Sequence, residues 1–226
     1  MERKKKTLFK KQLIIKALEK ADKVGVVSNH QKRCVLMEEI NCDPFIIWNF
    51  IDEDKFYLNP QKHDEKFRII SIAYPSYIKD METFFKSISV FKSLCTDNNI
   101  EVTVIGNNSF GNLNEANTLK FEKLAEKYKI SSICKLIPYL NSDEIVESLN
   151  SADVYVSTSI AETFGVAVRE AMYCGVPVVS TKNGGVEDSI NEKTGVLVDI
   201  GDSGAIANSL LKIKNKRTFI THLLHI

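Results

Sequence analysis

Short, mainly apolar segments alternate with segments of helical periodicity from residue 67 to residue 213. The apolar segments predict strands at 67–74, 101–106, 132–137, 154–159, 176–181 and 195–199. Helices are predicted between them, at 81–95, 115–128 and 142–152 (with Ser142 as N-cap), around Glu170, and at 203–213. Apolar strands separated by helices are typical of a parallel sheet covered on both faces. The pattern predicts an α/β fold with a doubly wound parallel sheet, which binds its ligand at the carboxyl ends of the strands.

The first 60 residues follow a different pattern. A helix leads into a strand at 24–28, a second helix follows, and a second strand is predicted at 44–50, before a polar connector. This is too little for a complete domain. We therefore expect three parts: a remnant of a preceding domain with its linker at 1–60, a Rossmann-like domain at 61–215, and an atypical tail at 216–226.

The composition is that of an ordinary soluble globular protein, with 44% hydrophobic and 26% charged residues and a formal net charge of +1. Basic residues cluster towards both ends, and we interpret them as solvated ends, so no nucleic-acid partner is expected. The five cysteines include no C-x-x-C pair, which favours reduced thiols and a cytoplasmic location. No apolar run approaches the ~18 residues that span a membrane.

Three familiar ligand motifs are incomplete or misplaced. The segment GNNSFGNL at 106–113 has the glycine spacing of a phosphate-binding loop but lacks the Lys-Ser/Thr that should follow. No G-x-G-x-x-G follows the first strand of the sheet, so a nicotinamide dinucleotide is not expected. The acidic D-x-D at 52–54 lies in the polar connector, and we interpret it as solvated charge. No metal site is therefore predicted.

Two glutamates flank the start of the helix after the fourth strand, in the segment E-TFGVAVR-E. Glu162 is predicted at the mouth of the sheet, where the backbone N–H groups of Thr163, Phe164 and Gly165 would offer an anion site at a helix N-terminus. Glu170 lies roughly 9 Å further along an otherwise apolar helix, at ~1.5 Å per residue. A diphosphate at one end of that span and vicinal hydroxyls at the other describe a nucleotide-sugar.

Simpler roles for these two acids stay open at this point. Glu162 could cap its own helix. Glu170 could form an ion pair with Arg169 or Lys182 instead of binding a ligand.

The segment VSTSIAETFGVAVREAMYCGVPVVSTKNGGVEDSINEKTGVLVD resembles the donor-binding core of the retaining glycosyltransferases of family 4, which have the GT-B fold. The resemblance extends over about residues 15 to 213. It implies that Glu170 binds the ribose hydroxyls of the donor and that Glu162 is the catalytic residue beside the transferred sugar. Thr163, Phe164 and Gly165 would contribute to the donor site.

The resemblance assigns the remaining positions one by one. Lys79 matches the lysine that pairs with the donor diphosphate, although a lone lysine is often simply solvated. Gly184, Gly185 and Glu187 match a turn that we interpret as structural. The chain departs from the family where Ala73 and Tyr74 replace a glycine and an arginine, and where Asp80 replaces the glycine after the lysine.

The resemblance implies a retaining hexosyltransferase that uses a nucleotide-diphosphate sugar, without metal or cofactor, in surface polysaccharide or glycolipid synthesis. Its partners would be the nucleotide-sugar and a sugar or lipid-linked acceptor. Association with a membrane surface and a separate chain carrying the acceptor domain stay open. The alternative is a catalytically silent nucleotide-sugar-binding module or a truncated remnant. A nucleotide-sugar epimerase is disfavoured, because no paired acid and base is apparent.

Overall fold

The structure is a computed structural model that describes residues 2–59, 65–96, 99–106 and 114–216. It divides into two compact units, Met1–Phe50 and Ile51–Ile226. The glycine-spaced segment after residue 106, the end of the predicted linker and nearly all of the predicted tail lie outside the described residues. The predicted division into parts at 60/61 and 215/216 therefore stays a prediction.

The first unit contains α1 (Glu2–Lys20), β1 (Val24–Val26), α2 (Asn29–Met37) and β2 (Pro44–Ile46). The two strands pair in parallel, as a β-α-β connection requires. Both are shorter than predicted. The chain leaves β1 early because Ser28 already caps α2, accepting a hydrogen bond from the backbone N–H of Gln31 at 3.1 Å.

The second unit carries the predicted sheet. Its elements are β3 (Phe67–Ile72), α3 (Met81–Leu94), β4 (Ile100–Ile105), α4 (Asn114–Lys127), a 3₁₀ turn (Ser131–Ile133), β5 (Cys134–Ile137), α5 (Ser142–Asn150), β6 (Val154–Ser157), α6 (Val166–Tyr173), β7 (Val178–Thr181), β8 (Gly195–Val198) and α7 (Ser203–Asn215). The six strands are parallel, in the order β5-β4-β3-β6-β7-β8. The predicted α/β fold with a doubly wound parallel sheet is confirmed.

The strand order reverses between β3 and β6. The chain moves outward from β3 through β4 to β5, then returns to place β6 on the other side of β3, with Ile69 opposite Val154. In open parallel sheets, ligands bind at such a switch point, outside the carboxyl ends of the strands. The loops after β3 and β6 are therefore where a ligand is expected.

A large apolar cluster fixes the frame that carries these loops. Side chains from β3, β4, β6 and β7 pack against α3, α4 and α7. Its largest fully buried members are aromatic: Phe67, Phe84, Phe85, Phe91 and Phe121. Because a packed interior resists displacement, the strand ends that carry the site are held in place.

Two predicted boundaries are wrong in informative ways. β6 ends at Ser157 instead of residue 159, because the backbone N–H of Ile160 turns towards the loop after β3 and donates to the Ile78 carbonyl at 2.7 Å. The N-cap of α5 is Asn141, not Ser142. Its side chain accepts from the second and third N–H groups of the helix, and the Glu144 carboxylate accepts from the Asn141 N–H, which completes a capping box.

Candidate functional site

The loops after β3 and β6 are bound to each other at the switch point. The N–H of Ile160 donates to the Ile78 carbonyl, and the Thr158 hydroxyl lies 3.0 Å from the carbonyl oxygens of both Lys79 and Asp80. These backbone contacts fix the spacing of the two loops. They bring Lys79 and Glu162, which lie far apart in sequence, to the same edge of the sheet.

Lys79 and Glu162 form an ion pair, with Lys79 Nζ 2.5 Å from Glu162 Oε1. The side chains are only 22% and 17% exposed, so Lys79 is not the solvated lysine of the simpler interpretation. The buried Ser159 hydroxyl donates to the same Glu162 oxygen at 2.8 Å. Glu162 does not cap α6 either, because Gly165 is the N-cap and no side chain caps that helix.

The residues between Glu162 and α6 make a tight turn. Gly165 has φ +74°, and a Cβ there would lie 2.4 Å from Val186 Cγ1, so the position requires glycine. Phe164 is buried beneath the Arg169 guanidinium, whose carbon lies 3.6 Å from the ring centroid. Thr163 is exposed. Among the described residues, no acceptor takes the N–H of Thr163 or Gly165, which leaves both to a ligand or to solvent.

The turn at Gly184 and Gly185 packs against the loop that carries Glu162. Glu162 and Gly184 form an isolated parallel β-bridge, and the Gly184 N–H donates to Glu187 Oε1 at 2.8 Å. A Cβ on Gly185 would lie 2.5 Å from the Glu162 carbonyl oxygen and 2.7 Å from the Phe164 nitrogen. These contacts agree with the structural role expected of the turn.

Glu170 lies on the second turn of α6 and is half-buried. Neither alternative partner engages it. Arg169 donates through both terminal nitrogens to the Gly185 carbonyl at 3.3 Å, and Lys182 pairs with Asp199 at 2.8 Å. Within the described part of the chain, no hydrogen-bond donor or cation satisfies the Glu170 carboxylate. Burial raises the pKa of this carboxyl above its ordinary value, as expected for an uncompensated charge.

Glu162 and Glu170 both act electrostatically on the buried phenol of Tyr155 on β6. Burial raises its pKa well above the usual range, and the negative charges of Glu162 and Glu170 raise that pKa further. The Tyr155 hydroxyl donates to the Ile72 carbonyl at 3.4 Å, at the end of β3. Both glutamates therefore act on one point beside the switch between β3 and β6.

Two polar residues of this region were not anticipated from the sequence. Ser159 contacts Glu162, as described above. Asn183 is 4% exposed, and its backbone carbonyl accepts from the Glu162 N–H at 3.0 Å. The oxygen of its side chain, Oδ1, is buried and has no hydrogen-bond partner in the described part of the chain. The one signal available in the sequence was position, because each residue stands two positions after the end of a strand, Ser159 after β6 and Asn183 after β7.

The departures from the resemblance have definite structural consequences. Tyr74 is 46% exposed, and Lys79 Nζ lies 6.0 Å from the centroid of its ring, so an aromatic face accompanies the lysine where an arginine was expected. Asp80 has φ +41°, the left-handed conformation that glycine adopts freely and aspartate tolerates. Its carboxylate accepts from the N–H and hydroxyl of Thr83 and so caps α3.

Comparison with known proteins decides the family. The profile described as "Glycosyl transferases group 1" matches residues 56–222, which is most of the chain. The chain belongs to the group 1 glycosyl transferases. Across the described residues of this group 1 glycosyl transferase, no cluster of three or more His, Cys, Asp or Glu could hold a metal ion. None of its described helices combines the length and apolar character needed to cross a bilayer.

Its relatives are larger proteins. A D-inositol 3-phosphate glycosyltransferase of Paenarthrobacter aurescens is 29% identical over 136 residues, covering 60% of this chain and 32% of the relative. The sucrose-phosphate synthase of Thermosynechococcus elongatus has the same fold, with a TM-score of 0.80 at 22% identity, over 94% of this chain and 54% of that one. Anabaena HepE in complex with UDP-glucose has a TM-score of 0.74 at 18% identity, over 94% and 58%. The chain thus spans about a third of the inositol phosphate relative and about half of the solved enzymes.

Proposed function

We propose that this group 1 glycosyl transferase chain binds a nucleotide-diphosphate sugar as the donor part of a retaining hexosyltransferase of family 4. The observation that carries the proposal is the half-buried Glu170 carboxylate, which no described residue satisfies, on the helix that follows the loop of the Lys79–Glu162 pair. An unpaired carboxylate in that setting is costly unless a ligand pairs with it. Two vicinal ribose hydroxyls would donate to it and offset that cost.

The rest of the donor would extend from Glu170 towards Lys79. The Lys79 ammonium would meet the diphosphate, together with the N–H groups of Thr163 and Gly165 just before α6. The transferred sugar would then lie beside Glu162, with Phe164 buried beneath the turn. HepE, which shares this fold, has been solved with UDP-glucose bound, and this supports the same class of ligand here.

In the proposed reaction, negative charge develops on the departing diphosphate and positive charge on the anomeric carbon. The bond between the anomeric carbon and the diphosphate oxygen breaks, and the acceptor hydroxyl attacks the same face, so the configuration is retained. The acceptor proton passes to the departing diphosphate, whose negative charge Lys79 stabilises. Glu162 lies on the sugar side and stabilises the positive charge at the anomeric carbon. Neither a metal nor a cofactor is assigned a role.

The proposal extends to the acceptor, the product and the location of the protein. A sugar or lipid-linked acceptor, surface polysaccharide or glycolipid as product, a cytoplasmic location and contact with a membrane surface fit a hexosyltransferase of this type. Because the chain spans about a third of its inositol phosphate relative, the acceptor region is assigned to a separate polypeptide or to a larger form of this one.

A thermal-shift panel of UDP-, GDP- and ADP-sugars, with and without magnesium, tests donor binding. A matching donor at a hundred times its Kd stabilises by about 2.7 kcal/mol, which is a rise in Tm of about 5–10 °C for a chain of this size. We expect one nucleotide to give that shift independently of magnesium, and Glu170→Ala to lose it. Glu147→Ala, at an exposed position on α5, is the matched control.

Transfer is measured separately, as release of nucleoside diphosphate in the presence of sugar acceptors. Release would support a complete transferase. Binding without release would support the alternative of a nucleotide-sugar-binding module. No shift with any donor, or a shift that survives Glu170→Ala, would refute the proposed site.

A further inference from the structure

The carboxylate of Glu162 is satisfied on one oxygen only. Its Oε1 accepts both from Lys79 Nζ at 2.5 Å and from the Ser159 hydroxyl at 2.8 Å. Its Oε2 has no hydrogen-bond partner among the described residues. The protein thus holds one oxygen in place and leaves the other as an acceptor for a hydroxyl outside the chain.

Ser159 is itself held firmly. It is 2% exposed, and the Thr181 hydroxyl of β7 donates to its carbonyl at 2.5 Å. The next residue, Ile160, donates its N–H to the Ile78 carbonyl across the switch point. The Ser159 hydroxyl therefore reaches Glu162 from backbone fixed by two neighbouring elements, and this limits the directions in which the carboxylate can point.

The two donors on Oε1 behave differently once a donor substrate binds. A diphosphate carries more charge than a carboxylate and attracts the flexible Lys79 ammonium away from Glu162. The short Ser159 side chain cannot follow. In the donor complex, Ser159 is then the described side chain that still holds Oε1.

We propose that Ser159 is a positioning residue for the transferred sugar, holding Glu162 so that Oε2 accepts a sugar hydroxyl. The inference rests on the proposed function and adds to it a residue outside the two-glutamate motif. It predicts that Ser159 contributes to the recognition of the sugar and not to that of the nucleoside diphosphate.

The test compares the Kd of a nucleoside diphosphate with that of its sugar, by calorimetry on the full chain. The probe pairs are UDP with UDP-glucose, GDP with GDP-mannose, and ADP with ADP-glucose. The variants are Ser159→Ala, Ser159→Thr and the control Ser87→Ala, which removes another buried serine hydroxyl, one that donates to the Phe84 carbonyl within α3.

Loss of a hydrogen bond to a charged group is worth about tenfold or more in an equilibrium constant. For the pair that binds, we expect Ser159→Ala to weaken the sugar-bearing probe about tenfold relative to its nucleoside diphosphate. Ser87→Ala should leave that ratio unchanged, and Ser159→Thr, which keeps the hydroxyl, should recover most of it. If Ser159→Ala does not fold, Ser159→Cys, with a similar shape and a weak donor, serves as the deletion.

An unchanged ratio, or an equal loss for both members of the pair, would overturn the positioning role while leaving nucleotide binding intact. Failure of the wild-type chain to bind any probe would instead overturn the proposed function, and the role of Ser159 with it. The two failures are therefore distinguishable in the same experiment.

Discussion

Replacement of Glu170 by glutamine separates the effect of its charge on the stability of the free chain from its proposed effect on donor binding. Because burial raises the pKa of the Glu170 carboxyl and no described residue pairs with it, its charge destabilises the free chain at neutral pH. Glutamine keeps the size and removes the charge. Allowing for the partial exposure of the site, we expect Glu170→Gln to stabilise the free chain by about 1 kcal/mol, which raises Tm by about 2–4 °C.

The same substitution should weaken donor binding. Two hydrogen bonds from ribose hydroxyls would change from a charged to a neutral acceptor, each weaker by about 1 kcal/mol. The sum corresponds to a roughly 30-fold rise in Kd. Thermal melts without ligand and calorimetric titration with the nucleotide identified in the donor panel measure the two effects. Glu147→Gln, on the exposed face of α5, is the control for both.

The pH dependence gives the sign of the electrostatic effect. The folded-state pKa of Glu170 is raised above its ordinary value of 4.5, so between the two values the folded chain binds more protons than the unfolded chain. Wild-type stability therefore falls as pH rises through that window. The stability advantage of Glu170→Gln should be full at neutral pH and vanish as pH falls towards 4.5. A variant that is less stable than wild type at neutral pH, with unchanged donor affinity, would refute the reasoning.

The turn, the ion pair and the buried thiol give three further expectations. Gly185→Ala should lower the free energy of unfolding by about 2 kcal/mol and Tm by about 4–8 °C in thermal melts, because the new Cβ would lie 2.5 Å from the Glu162 carbonyl oxygen. The control is Gly204→Ala in α7, where the new Cβ would lie 3.5 Å from its nearest atom, and it should be neutral or stabilising. Glu162→Gln should free Lys79 and tighten nucleoside diphosphate binding by about fivefold in calorimetry while reducing transfer, and weaker binding would contradict the competition. Burial raises the pKa of Cys174 to about 11, so this thiol should resist alkylation at pH 8 until the chain unfolds, and rapid labelling of the native chain would disprove its burial.

The sheet could be predicted from the sequence because its signal is local and repeated. Each strand of the second unit lies in a short, mainly apolar segment, and such segments predict the element type even where their ends are misplaced. The start of α5 shows the limit of this local signal. Asn141 and Ser142 are both good caps, and the deciding fact was Glu144, which stands three residues after Asn141 and so completes a capping box.

The site was only partly predictable, for a physical reason. Glu170 is a charged residue in an apolar helix, and that contradiction is visible without a fold. Ser159 and Asn183 are small polar residues after strands, which is where ordinary turn residues also occur. The Asn183 contact with Glu162 arises only because β6 lies next to β7 in the sheet, and strand order is not contained in either local segment. The Ser159 contact joins two residues of one loop, and it depends on a loop conformation that the local sequence does not specify.

The two glutamates begin from opposite electrostatic states, and this decides how they contribute to binding. Glu162 is compensated in the free chain by Lys79 and Ser159, so a ligand that recruits Lys79 first loses that pair. A ligand that binds Glu170 breaks no existing interaction of its carboxylate, because no described residue satisfies that group. In the proposed donor complex, most of the net binding free energy would therefore come from the ribose hydroxyls at Glu170. At the diphosphate, Lys79 would exchange one partner for another at little net gain. Such an exchange suits a group that must bind a diphosphate in the donor and release it as product, since Glu162 regains the ammonium as the diphosphate departs.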